Sequence, residues 1–353
     1  MDDFKRGQLE GVAAHRDYLR EHPRLTWLFF EVTNRCNLHC KHCGSSCTAL
    51  GYQLSVSDIE KVLCSVQSAA PMVCLTGGEP LLHSEFFDIA SAVKKRGLYW
   101  GMTTNATLID RSVARDLHKA GMSTVSVSLD GLEKTHDNFR DQKGSWTKAL
   151  NGIRALQEEG FEPQVTTVVH QDNINELNEL YSILCELNIT SWRVINIEPI
   201  GRACESYGLM LTPEQLKYLL SYIRAKRFDH GCHMEVTYGC SHYLGVRNER
   251  MVRDHYFLCG AGILVASVRC NGDICACLDI PDLRELVQGN IKTDDFMDVW
   301  NNRFQVFRND RTKDCSKCLE CSERYICGGD STHTWDFKKK EPLLCVKDFD
   351  VII

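Results

Sequence analysis

Between Thr26 and Ile197 the chain alternates short apolar runs with amphipathic stretches, and this alternation restricts its possible folds more than any other feature. The runs are Trp27–Val32, Met72–Leu75, Tyr99–Thr103, Thr124–Leu129, Gln164–Val169 and Trp192–Ile197. Most of the intervals carry a helical period: Val56–Val66, Phe86–Val93, Val113–Ala120, Ala149–Leu156 and Leu177–Leu187. Repeated strand-helix units predict a parallel sheet with right-handed crossovers, either open or curled into part of a barrel. In such sheets the active site lies at the C-terminal ends of the strands.

After Ile197 the pattern changes. Thr212-Pro213-Glu214 opens a helix reaching about Arg224, and the chain then becomes rich in Gly, Cys and His. Ile263–Val268, the Asn271-Gly272-Asp273 turn and Ile274–Leu278 read as a hairpin, and Asp294–Phe307 as one helix. The expected division is an N-terminal extension over 1–25, a first domain over 26–230 and a smaller second domain over 231–353. The 19 cysteines among 353 residues are odd in number and fall short of a secreted disulfide scaffold, so they point to ligands or reduced thiols. A net charge of −6 announces no nucleic-acid partner, and no stretch has the length and apolarity of a signal peptide or membrane span. The expectation is a cytoplasmic protein.

Directly after the first run stands Cys36-Asn37-Leu38-His39-Cys40-Lys41-His42-Cys43, a CxxxCxxC. Three thiolates on a loop can hold three irons of a [4Fe-4S] cube and leave the fourth open to an outside ligand. A zinc site is the alternative, with Cys47, His39 or His42 as the fourth ligand. After the second run comes Thr76-Gly77-Gly78-Glu79-Pro80, where two glycines bare backbone carbonyls toward a ligand's ammonium group. Thr104-Asn105-Ala106 follows the third run, and Ser126-Val127-Ser128-Leu129-Asp130-Gly131 closes the fourth.

Taken in this order, the motifs resemble the radical SAM superfamily. The resemblance implies a partial (β/α)6 TIM-like barrel, a [4Fe-4S] cluster on Cys36, Cys40 and Cys43, and S-adenosylmethionine chelated by the open iron. It further implies that Gly77, Gly78 and an exposed loop carboxylate, Glu79, receive the methionine amine. Asn105 and Ser128 would bond the ribose and carboxylate. Arg140 is read either as a carboxylate clamp or as a solvated loop arginine, and Asp130 as a possible stabiliser of its own turn. Reductive cleavage of the sulfonium would give a 5′-deoxyadenosyl radical, with a flavodoxin or ferredoxin as reductant.

A second cysteine field runs Cys259, twelve residues, Gly272, four residues, Cys277, then Cys318-x2-Cys321-x5-Cys327-Gly-Gly-Asp-Ser331 and Cys345. It resembles the SPASM extension of radical SAM enzymes, CX9-15GX4C, CX2CX5CX3C and a last C, which carries two auxiliary iron-sulfur clusters. Six of the seven positions match and the seventh is Ser331. The resemblance assigns Cys318, Cys321, Cys327 and Cys345 to the distal cluster, and Cys259 and Cys277 to a proximal one that Ser331 leaves short. Cys270, Cys275 and above all Cys315 are candidates to fill that place. Cys64, Cys74, Cys185, Cys204, Cys232 and Cys240 read as small apolar residues, and His233, His242 and His255 as ordinary polar residues near the cleft.

SPASM enzymes mostly modify ribosomally made peptides or proteins, and others process tetrapyrroles or small metabolites. Sulfatase maturases place an acid directly after the cysteine matching Cys277; here Leu278 stands there and Asp279 follows, which disfavours formylglycine formation. About 25 residues precede the first strand, too few for a leader-binding winged helix, so a peptide substrate would call for a separate leader-binding protein. The reading is an oxidative maturase of a peptide or protein. A tetrapyrrole or small-metabolite enzyme is the second choice, and a non-catalytic iron-sulfur electron carrier the third.

Overall fold

The computed structural model describes residues 2–45, 51–205, 207–229, 231, 233–239 and 242–349. Cys47, Cys232 and Cys240 lie outside the described residues. The first helix, α1 (Asp2–Glu21), leads into an alternation of β1 (Trp27–Thr33), α2 (Val56–Ser65), β2 (Met72–Gly77), α3 (Phe86–Lys95) and β3 (Trp100–Thr104). It continues with α4 (Arg111–Lys119), β4 (Thr124–Ser128), α5 (Glu133–Arg140), α6 (Ser145–Glu158), β5 (Gln164–Val169), α7 (Leu177–Glu186) and β6 (Ser191–Asn196). Strands β1 to β6 pair in sequence order and every pair is parallel.

The sheet extends beyond these six at both edges. After α8 (Pro213–Arg227), β7 (Glu235–Tyr238) adds parallel to β6. On the other side β8 (Val265–Val268) lies parallel to β1, and β9 (Asp273–Cys275) and β10 (Gly289–Asn290) follow antiparallel. The hairpin read from Asn271-Gly272-Asp273 is present, and it continues the barrel's own sheet. The result is a ten-stranded open sheet with β10 and β7 as edges, a partial barrel with an elaborated C-terminal flank.

Burial explains the alternation. Leu28, Phe30 and Val32 of β1 are fully buried on one face while Phe29 and Glu31 face the other, more open side. Helices cover the first face with apolar stripes such as Ile59, Val62 and Leu63 of α2. Side-chain caps start several of them: Ser55 accepts the Asp58 N–H, Asp110 the Val113 N–H, and Thr212 forms a capping box with Gln215.

Three departures from the sequence pattern have local causes. The segment expected as one helix over Asp294–Phe307 is two, α9 (Phe296–Asn302) and α10 (Gln305–Arg308). The Arg308 guanidinium folds back onto the carbonyls of Trp300 and Asn301, satisfying the end of α9 and requiring the break. Helix α5 has few apolar residues, yet buries His136, Phe139 and Arg140. Helix α1 buries Leu9, Ala13 and Leu19, and its Arg16 donates to the carbonyls of Tyr325 and Ile326. Those carbonyls belong to the last of two four-residue helices, α11 (Ser316–Leu319) and α12 (Arg324–Cys327), so the N-terminal extension is fastened to the second cysteine field.

Candidate active site

The CxxxCxxC loop leaves the C-terminal end of β1 and is held by backbone bonds from three neighbours. Thr33 O accepts the Gly78 N–H at 2.8 Å and Arg35 O the Glu79 N–H at 2.8 Å. Phe139 O accepts the Lys41 N–H at 3.0 Å, and Arg202 reaches Cys40 O through Nε at 2.8 Å and Cys43 O through its N–H at 3.1 Å. The two glycines have a packing reason that the motif alone did not reveal. A Cβ on Gly77 would stand 2.3 Å from Thr33 O, and one on Gly78 2.3 Å from Arg35 O and 2.9 Å from the Cys36 Cβ. They let the exit of β2 run against the cysteine loop.

Glu79 is not the exposed loop carboxylate expected from the sequence. It is fully buried, and its oxygens accept Thr104 Oγ1 at 2.8 Å and the Asn105 N–H at 2.9 Å. Burial pushes its carboxyl up to about 7 against the pull of those hydrogen bonds. Glu79 thus ties the end of β2 to the end of β3, and Asn105 passes the tie to the cysteine loop by donating Nδ2 to Asn37 Oδ1 at 3.0 Å. Ser128 ends β4 in register with Thr166.

Arg140 is a buried helix residue, which removes the solvated-loop reading. Its Nε donates to Asp130 Oδ2 at 2.6 Å, and its Nη1 lies 3.6 Å from Cys40 Sγ. Asp130 does more than close its turn. It is fully buried, receives the Val168 N–H at 2.8 Å, and is held below the ordinary carboxylate range by Arg140 despite the opposing effect of burial. Burial raises the Cys40 thiol while Arg140 opposes the rise. His42, inside the motif, stacks on Phe139 at 4.4 Å, and Phe139 stacks on His170 at 4.0 Å. Burial drives the His42 imidazole down to about 3, so it is neutral.

In the second field Cys318, Cys321, Cys327 and Cys345 line one cavity of about 260 Å³, closed partly by Tyr243, Lys317 and Lys347. The thiols expected to hold a distal cluster therefore converge, and the space between them fits a multi-iron group. Cys315, expected as a candidate for the proximal place, stands with this group. Its Sγ accepts the Cys318 N–H at 3.3 Å. Cys270 faces the barrel, where its N–H donates to Glu31 Oε2 at 3.1 Å, and Cys275 is buried in β9. Cys259 accepts from Thr332 N–H at 3.4 Å, and its thiol is lowered by Arg311 even though burial alone would raise it. Cys277 lies 3.9 Å from the Asp279 carboxylate, which also stands against Gly44 of the first loop. Ser331 is buried. Cys64 and Cys204 are exposed, not the buried apolar residues expected, while Cys74 and Cys185 are partly buried.

One polar chain links the two regions and was missed by sequence reasoning. Glu198, two residues past β6, is buried between two imidazoles: His242 Nε2 at 3.3 Å and His333 Nε2 at 2.9 Å. His242 Nδ1 continues to Asp330 Oδ2 at 2.8 Å, so this histidine is a fully buried connector and not an ordinary cleft residue. Burial would lower both histidines, but Asp330 and Glu198 raise His242 to about 10, and Glu198 raises His333 to about 10. Glu198 itself is held far below the ordinary range by His333 and His242 in spite of its burial. The signal available in the sequence was the placement of Asp330 and His333 three and six residues after Cys327.

Comparison with known proteins gives a family for both regions of the chain. The radical SAM superfamily model matches residues 30–184, and the SPASM iron-sulfur cluster-binding domain model matches residues 259–322. The chain belongs to the radical SAM superfamily and carries a SPASM domain. The first domain implies a [4Fe-4S] cluster with S-adenosylmethionine, and the second implies auxiliary iron-sulfur clusters. An AdoMet-dependent heme synthase of Methanosarcina barkeri is 29% identical over 347 residues, covering 91% of this chain and 95% of its own length. The mycofactocin maturase MftC of Mycolicibacterium smegmatis is 28% identical over 312 residues, 86% of this chain and 76% of the relative. The Streptococcus suis SuiB structure bound to its precursor peptide SuiA superposes with a TM-score of 0.73 at 21% identity, over 87% of this chain and 72% of that one. Among the described residues no helix is long and apolar enough to cross a membrane.

Proposed function

We propose that this chain is a radical S-adenosylmethionine oxidoreductase that removes a hydrogen atom from a tetrapyrrole of the heme type and passes the resulting electron to its auxiliary clusters. The observation carrying the substrate class is the M. barkeri heme synthase, whose similarity runs through both domains and nearly all of its length. Cys36, Cys40 and Cys43 would hold the first cluster, and Cys318, Cys321, Cys327 and Cys345 the distal auxiliary one. Once bound, the cluster and S-adenosylmethionine supply a 5′-deoxyadenosyl radical, the hydrogen acceptor of the reaction. The chain's own residues supply orientation. Glu79, Asn105 and Asn37 fix the loop around the cofactor site, while the buried Asp130–Arg140 pair sets a guanidinium beside Cys40. Gly77 and Gly78 keep backbone rather than side chain against the loop, which suits capture of an ammonium group.

The second reading is oxidative maturation of a ribosomally made peptide or protein, with a separate leader-binding partner. The similarity to the mycofactocin maturase favours it. One experiment separates the two. The anaerobically reconstituted chain is incubated with dithionite and S-adenosylmethionine, with either an iron porphyrin bearing propionate side chains or a candidate precursor peptide. Release of 5′-deoxyadenosine above the uncoupled background, with a changed mass of the porphyrin, supports the first reading. Stimulation and mass change confined to the peptide would overturn it.

A further inference from the structure

We propose that a small inorganic anion of halide size binds between α1 and the second cysteine field, held by the guanidinium groups of Arg16, Arg20 and Arg311. The three arginines line one cavity of about 20 Å³, room for one water-sized group, with Asn309 beside them. Arg16 and Arg20 belong to α1, and Arg311 lies ahead of α11, so the anion would join the two regions.

The turn after Cys327 is shaped to admit two of these groups. Gly328 and Gly329 have positive φ, 67° and 88°, and each has a guanidinium lying where a side chain would be. A Cβ on Gly328 would stand 2.3 Å from Arg16 Nη1 and 3.0 Å from its Nε, and one on Gly329 2.9 Å from Arg311 Nε. The fork ends are taken by neutral acceptors. Arg16 donates Nη1 to the Ile326 carbonyl at 2.9 Å and Nη2 to that of Tyr325, and Arg311 donates Nη1 to Thr332 Oγ1 at 2.8 Å and Nη2 to the Asp330 carbonyl. Both Nε atoms are shielded from solvent and have no hydrogen-bond acceptor among the described residues, and Arg16 as a whole is only 8% exposed. The Asp17 carboxylate lies 3.9 Å from Arg16 Nε, too far for a hydrogen bond, and is held by Arg20 Nη1 at 2.9 Å.

These bonds leave the charge itself unanswered. A carbonyl or a water satisfies an N–H but brings no negative charge, and a buried cation without a counter-charge is costly. Asp330, on the same wall, gives its carboxylate oxygens to His242 Nδ1 at 2.8 Å and to the Tyr243 N–H at 2.8 Å, and Asp310 is paired with Arg324 at 3.3 Å. Burial holds Arg16 and Arg311 below the ordinary guanidinium range, and the charge of Arg20 deepens both shifts, while nearby carboxylates and thiols oppose them without cancelling them. An anion in the cavity would face all three cations and accept charge-assisted hydrogen bonds from the Nε donors. Thiolates of Cys259 and Cys327, which line the same cavity, are the competing counter-charge, so binding is measured on the iron-loaded chain.

The test titrates chloride or bromide into the full-length, iron-loaded chain at constant ionic strength, with gluconate as the balancing anion, and follows thermal unfolding. Halide should raise the midpoint saturably, whereas gluconate, too large for the cavity, should not. Arg16→Gln should raise the half-saturating concentration roughly tenfold or more, the loss expected for one hydrogen bond to a charged group. Arg20→Gln leaves the bonds of Arg16 and Arg311 in place and should raise it by a smaller factor, which keeps a readout if Arg16→Gln loosens α1. Crystals soaked in bromide should carry an anomalous peak among the three guanidinium groups. Equal midpoints in halide and gluconate, or an anomalous map without that peak, would overturn the proposal. Saturable binding that neither variant weakens would place the halide elsewhere and overturn it as well.

Discussion

The two cysteine regions are built by different means. The first loop is shaped by the protein's own bonds. It takes backbone bonds from the β2 exit and α5, an arginine from beyond β6, and a buried ion pair at its flank. The distal thiols of the second field sit on the four-residue helices α11 and α12 and on turns, beside a small apolar cluster of Leu9, Tyr243, Val246, Phe257 and Ile326. A segment with so little regular structure has few ways to stay folded besides ligation, disulfides or a partner. The expectation is that the barrel prepares its site before any iron arrives, whereas the C-terminal field depends on iron for its own order.

That contrast is broken most directly by removing one thiol from each region. Cys40→Ala should reduce S-adenosylmethionine cleavage to background, while calorimetric unfolding of the barrel changes little. Cys321→Ala or Cys327→Ala should preserve uncoupled 5′-deoxyadenosine release, lose the distal iron and abolish substrate turnover. It should also leave the last 40 residues or so open to proteolysis, since metal binding and folding are coupled in such segments. Full turnover in a Cys321 variant proven to lack its cluster would refute the division of labour.

Next in size is the Asp130–Arg140 pair. Removing one partner of a buried ion pair leaves an uncompensated charge, and Asp130→Ala should cost about 3–5 kcal/mol in chemical denaturation. Iron content of the first cluster should fall with it, because the freed guanidinium lies against Cys40. A loss below about 1 kcal/mol would mean that the loop is not shaped by the protein.

Glu79 adds a pH test. Its folded-state carboxyl titrates near 7, above its ordinary value of 4.5, so the native state binds the proton more tightly than the unfolded chain. Stability from this group is present below about 4.5 and is lost as pH rises toward about 7. Glu79→Gln should flatten that part of the stability profile. Glu79→Ala, which strands the Thr104 and Asn105 donors, should cost about 1–3 kcal/mol per stranded group. An unchanged pH profile in Glu79→Gln would show that the carboxyl titrates alike in the folded and unfolded chain.

The same contrast governs what could be read from the sequence. Strand periodicity located β1 to β6 within one or two residues, because a sheet buried beneath helices leaves an apolar pattern on every strand. It gave no sign of α5 or α1, whose few apolar residues are supplemented by Arg140 and Arg16, polar groups satisfied only by distant partners. Motif spacing found the thiols of both fields, since ligand geometry is local in the chain. It could not find that Glu79 is buried, or that Glu198 joins His242 to His333, because these contacts cross 25, 44 and 135 positions of sequence.

The smallest effect belongs to the charges at the surface of the second field. Lys347 lies 3.6 Å from Cys321 Sγ and 3.6 Å from Glu323, and Lys317 pairs with Asp348. All four side chains except Glu323 are well exposed to solvent. Exposed pairs of this kind contribute about 0–1 kcal/mol, weakened further by salt. If thiolate ligation holds this region, Lys347→Ala and Lys317→Ala should leave iron content and proteolytic resistance unchanged, with stability shifts inside that range. Loss of the distal iron in Lys347→Ala would show that the ammonium group near Cys321 stabilises its thiolate, and the second field would then share the first loop's dependence on a neighbouring cation.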